Sequence, residues 1–134
     1  DRIKIAINYS FVLSGVWGIL IALPLLIFSN DFSNLFSYNA SVQIYLIDYL
    51  KIISLSYIFW GWSNIASSAF NGYQKPFIAM LIFLSRLFII TVPLVLIGNY
   101  YYGLTGILFG IMISNVISGI LSVIYTKTSL SLKI

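Results

Sequence analysis

Residues 57–76 read YIFWGWSNIASSAFNGYQKP, and this stretch decides what kind of fold the chain adopts. It opens as membrane-grade apolar sequence, and then polar and small side chains enter its middle. Trp60, Asn64, Ser67, Ser68 and Asn71 fall at helical spacing i, i+4, i+7, i+8, i+11, so they share one face. The run stops at Asn71-Gly72, with Lys75 and Pro76 just beyond, residues that end helices. A helix carrying a polar stripe through a lipid-length span faces protein or water, not lipid.

The composition around this stretch supports a membrane setting. It is 60% hydrophobic and 7% charged, with seven basic and three acidic side chains and neither His nor Cys. So few charges cannot provide the polar shell of a soluble domain, which makes the chain an integral membrane protein. Without His and Cys, the usual zinc, thiolate and imidazole chemistries are excluded. The three acids, Asp1, Asp31 and Asp48, are too scattered for paired-carboxylate catalysis. The glycines at 98 and 103 bracket a turn without the lysine and hydroxyl of a phosphate loop. An enzyme, a resident cofactor and a metal centre are therefore not expected. The net charge of +4 sits at helix ends, so no nucleic-acid partner is read from it.

Four spans are expected, at about 5–29, 40–71, 77–97 and 103–125. The first follows a basic edge, Arg2-Ile3-Lys4, and is too long for a signal peptide. Ser14, Gly18 and Ala22 give it a small-residue face for close helix approach, and Pro24 is expected to kink its outer end. The mixed segment 30–51 is the longest connection, with Asn39 placed to cap the second span. Its Asn39-Ala40-Ser41 spells a glycosylation sequon, as does Asn8-Tyr9-Ser10, both short enough to arise by chance. The third span carries Arg86 and Pro93. The fourth carries an unbroken stripe of Gly106, Gly110, Ser114, Ser118 and Ser122, read as a packing seam.

Alternating spans place Arg2, Lys4, Lys75, Lys127 and Lys133 on one side, against Asp31, Asp48 and Lys51 on the other. By the positive-inside rule both ends are expected in the cytoplasm, with the long loop and the Tyr100-Tyr101-Tyr102 turn outside.

Two readings of the polar stripe stand side by side. Ser and Asn can hold helices together, each contributing about 0.6 kcal/mol. Alternatively Trp60, Asn64, Ser67, Ser68 and Asn71, joined by Asn115 of the fourth span, line a cavity for a small organic solute. Trp60 and Trp62 beside Asn64 offer the flat faces and amides that aromatic or cationic solutes use. Arg86 lies about 13 Å from the start of its helix, near mid-membrane. A charge there costs on the order of 3 kcal/mol on insertion scales. It is read as structural or gating, as is Pro93, which frees the carbonyl of Ile89.

From Tyr49 to Leu121 the sequence resembles the last helices of a multidrug and toxic compound extrusion (MATE) transporter. The resemblance rests on the turn from Asn71 to Pro76, on Arg86 seven residues before Pro93, and on Gly103-Leu104-Thr105-Gly106-Ile107 opening the final span. It implies an all-α polytopic fold of twelve helices in two lobes, of which this chain supplies the last four. It implies a secondary active antiporter that exports organic cations or drugs in exchange for sodium ions or protons. The partners would be the bilayer and the missing N-terminal helices, and the setting a bacterial inner membrane. Family members often carry an aspartate on the second span, where Trp60 stands here, so no coupling-ion ligand is transferred. A lipid-linked oligosaccharide flippase of the same superfamily, and a purely structural membrane subunit, are the alternatives.

Overall fold

The computed structural model describes residues 2–131; Asp1, and Lys133 of the side-to-side charge count, lie outside them. Regular structure among the described residues is entirely helical. Helix α1, Arg2–Ile27, runs through Pro24. The chain then turns at Phe28, whose N–H still bonds the Pro24 carbonyl at 2.9 Å, and α2 follows over Ser29–Phe36. Asn39 caps α3, Ala40–Ser54: its Oδ1 accepts the Ser41 N–H at 3.0 Å. The Gln43 amide donates to the Ser37 carbonyl (2.7 Å) and to Asn34 Oδ1 (3.0 Å), closing the α2–α3 connection.

The second span, expected as one helix over 40–71, is bent by 54° between α3 and α4, Tyr57–Gly72. The cause is local. Both the N–H and the hydroxyl of Ser56 turn back on the Ile53 carbonyl, at 2.9 and 2.8 Å. From the fourth span, Asn115 Nδ2 donates to Ser56 Oγ at 3.0 Å. A break inside a membrane persists only when its polar groups are satisfied in this way. With 16 residues, α4 covers about 24 Å, short of a core of about 30 Å, so the end of α3 completes the crossing.

Residues Pro76–Ser129 form an almost continuous apolar helix, yet they make two spans. In a straight helix Thr91 and Ser114 would be about 34 Å apart; their hydroxyls lie 3.0 Å from each other. The reversal occurs within α6, Val92–Ser131, at Gly103, whose φ of 58° and ψ of −135° suit only a residue without a Cβ. Four spans result. Before the reversal, α5, Pro76–Leu84, passes into a π turn at Ser85–Thr91, where the Val92 N–H reaches back to Leu87. Pro93 follows at once. Its ring would meet the Ile89 carbonyl in a regular α-helix, and we ascribe the wide turn to that mismatch.

Small residues set the backbone-to-backbone approaches between spans. A Cβ on Gly18 would come within 2.8 Å of the Ile58 side chain, and Ser14 meets Gly61, which seats α1 on α4. Gly106 meets Gly98 backbone to backbone across the hairpin, and a Cβ on Gly110 would come within 2.8 Å of the Leu94 carbonyl. Further along α6, Ser118 Oγ lies 3.5 Å from Ser63 Oγ of α4, and Gly119 sits against Phe59. The small stripe of the fourth span is thus a seam with two partners, the third span at one end and α4 at the other. These pairings make α1 antiparallel to α4 and the second arm of α6 parallel to it. Lys4, Lys75 and Lys127 consequently gather at one end of the bundle, opposite the Gly98–Gly106 turn.

Candidate solute-facing stripe and mid-membrane arginine

Helix α4 divides its surface cleanly. Ser63, Ala66 and Phe70 are buried against the fourth span, and Phe70 packs its ring 5.4 Å from that of Tyr125. At 100° per residue, the stripe of Trp60, Asn64, Ser68 and Asn71 lies roughly a third of a turn away from that buried face. All four are exposed, Trp60 at 48%. Ser67 stands at the edge of the stripe and donates to the Ala79 carbonyl of α5 at 3.3 Å. The fold therefore keeps the stripe together and turns it away from the other three spans.

Two residues expected beside the stripe, Asn115 and Trp62, separate from it. Asn115 faces the bend of the second span, where it holds Ser56, and not the stripe. Trp62 points to α1: its indole N–H donates to the Phe11 carbonyl at 3.1 Å, and Phe59 meets its ring edge-on at 5.2 Å. Of the two tryptophans near Asn64, only Trp60 offers a free aromatic face. Pro93, read as structural or gating, lies in α6 directly after the π turn.

Arg86 lies in the π turn, half-buried, with its guanidinium carbon 5.6 Å from the centre of the Phe83 ring. That ring is one helical turn nearer the Lys75 end, so the side chain leans toward the basic end of the bundle, as helical side chains do. Arg86 lines a cleft of about 440 Å³ between the third and fourth spans. Sequence reading did not find this cleft, because it exists only once the hairpin closes. Nor did it find the pairings of Thr91 with Ser114 and of Ser63 with Ser118. Their only signal was that hydroxyl residues stood where apolar ones would serve in lipid.

No group of three or more His, Cys, Asp or Glu residues able to hold a metal occurs among the described residues. The arrangement offers a polar-aromatic helix face and, among the described residues, one cation set within a span, Arg86.

Comparison with known proteins gives the family context. The MatE family matches residues 1–97. An FAD transporter of Shewanella oneidensis is 31% identical over 120 residues, which are 90% of this chain and 26% of that protein. Among solved structures, the Vibrio cholerae MATE transporter VcmN in its bent form superposes with a TM-score of 0.84 at 25% identity, covering 96% of this chain and 28% of that one. An inward-facing multidrug resistance MATE family transporter gives 0.88 at 19% identity, a likeness of fold, over 96% of this chain and 30% of its own. The chain spans between a quarter and a third of the length of these relatives.

Proposed function

The chain belongs to the MATE family of membrane transporters, and from that premise we propose that it forms part of the second lobe of a secondary active exporter. The exporter expels flat organic solutes, organic cations or drugs among them, in exchange for sodium ions or protons. The observation that carries this reading is the face of α4 bearing Trp60, Asn64, Ser68 and Asn71. Polar groups at this depth are stable against protein or water and costly against lipid. The other spans already cover α4's opposite side, so the stripe is left for a water-filled path or for the opposing lobe. Helix pairs that rock about a mid-membrane site are the general architecture of such transporters. The reading has both ends of the chain facing the cytoplasm from a bacterial inner membrane, and the gathering of Lys4, Lys75 and Lys127 at one end of the bundle supports it.

A second solute class has a specific observation in its favour. The Shewanella relative is named for a flavin dinucleotide, an anion with a broad aromatic ring system. Trp60 would stack such a ring as readily as an organic cation.

The complete transporter, expressed in cells stripped of their own pumps, tests the proposal. Ethidium and flavin dinucleotide efflux would be followed with an imposed sodium or proton gradient. Gradient-dependent export of either solute supports the antiporter reading and identifies the ion. A protein present in the membrane that exports neither under either gradient would move the reading to the oligosaccharide flippase.

A further inference from the structure

We propose that the cleft between the third and fourth spans is a phosphate-binding site built on Arg86. This inference stands apart from the solute reading: it concerns a different face of the bundle, and its readout is binding.

The Arg86 guanidinium carries five donors, and its partner among the described residues is the ring face of Phe83. The acids of the described region, Asp31 and Asp48, belong to α2 and α3, whereas Arg86 lies in the π turn. Two neighbouring hydroxyls are already committed to the backbone: Ser85 Oγ donates to the Leu81 carbonyl at 2.6 Å, and Ser118 Oγ to the Asn115 carbonyl at 3.1 Å. What remains is a cation without a counter-charge, in a cleft whose walls also hold Ser122 and Tyr125. An anion there would supply that counter-charge inside the low-dielectric part of the bilayer.

Depth and shape narrow the ligand. The third span, residues 76–102, is about 40 Å long, some 10 Å more than the hydrocarbon core. Centred in the bilayer, it overshoots by about 5 Å at each end. Arg86 is ten residues in, about 15 Å, and its side chain leans back by about one turn. The guanidinium then sits about 5 Å inside the hydrocarbon boundary at the basic end, within reach of a phosphate drawn slightly inward. The volume, about 440 Å³, is that of a ligand site rather than a packing gap. Ile78, Leu81 and Leu121 line the rest of it, which suits a ligand with an apolar body attached to its anionic group. Basic pockets between helices on this side of a membrane characteristically take anionic headgroups. The phosphate can come from a phospholipid headgroup or from a phosphate ester in solution, and the test separates the two.

The complete transporter would be placed in phosphatidylcholine nanodiscs and its unfolding midpoint followed as phosphatidylglycerol is added to the disc or inorganic pyrophosphate to the buffer. A rise with phosphatidylglycerol alone assigns the site to lipid, and a rise with pyrophosphate assigns it to a soluble phosphate. In either case Arg86→Gln is expected to weaken the apparent affinity by about tenfold, and Arg86→Lys by less, since it keeps the charge and loses the fork. Ser122→Leu, which fills the cleft and leaves Arg86 in place, is expected to weaken it too, and decides the matter if Arg86→Gln does not fold. No shift with either phosphate in the wild type, or equal shifts in the wild type and both Arg86→Gln and Ser122→Leu, overturns the proposal.

Discussion

The hydroxyl of Thr91 lies 3.0 Å from that of Ser114, although the two residues are 23 positions apart in one nearly continuous helical segment. Thr91 Oγ1 also reaches the Arg86 carbonyl at 2.9 Å, and Ser114 donates to Ile111 at 2.8 Å. One hydroxyl pair therefore joins the π turn to the seam of the fourth span. It ties the part of the third span that departs from α-helical geometry to the small-residue seam of the fourth.

Closure of the hairpin depends on glycine at 98, 106 and 110. Gly106→Val places a branched side chain where Gly98 backbone now lies, and overpacking of this kind costs about 1–3 kcal/mol. Thermal unfolding in detergent is expected to show a clear fall in midpoint. A valine variant as stable as the wild type would mean that the two arms do not meet here.

The bend of the second span is held from across the bundle by Asn115 and Ser56. A double-mutant cycle of Asn115→Ala and Ser56→Ala is expected to give a coupling of about 0.6 kcal/mol, as polar pairs between membrane helices do. A coupling indistinguishable from zero would remove the staple.

Trp60 and Asn64 face away from the packed spans, so replacing both with Ala is expected to leave unfolding temperature and membrane abundance almost unchanged. Solute export by the complete transporter is expected to fall at least tenfold, on the order of the loss of a buried aromatic anchor. Unchanged export and unchanged solute binding would sink the proposed role of the stripe.

These residues contain no cysteine, so single cysteines placed here report topology in the complete transporter once any cysteine elsewhere in it is replaced. A cysteine at 75 or 127 is expected to resist a membrane-impermeant maleimide applied to intact cells, and one at 101 to react. Labelling at 75 from outside would invert the orientation.

Much of the fold was legible in the chain because lipid imposes simple rules. A span must be long and apolar, and its ends gather basic residues on one side. Small residues mark close approach, so Ser14, Gly18 and Ala22, and the seam from Gly106 to Ser122, announced their role. Gly103 announced a turn because a positive φ suits it. The polar stripe of α4 was equally readable from spacing, since 100° per residue fixes which side chains share a face.

What the sequence alone determined is a helical membrane protein with four spans, their order, their packing faces and one polar side. The tertiary structure decided which of the polar residues are already used. Asn115, Trp62, Ser63 and Ser67 each find a partner on another helix, and no periodicity within one helix can say what lies across from it. The bend at Ser56 and the cleft at Arg86 have the same origin. Both arise where groups distant in the chain meet, so their chemistry is set by the register between helices, which only packing fixes.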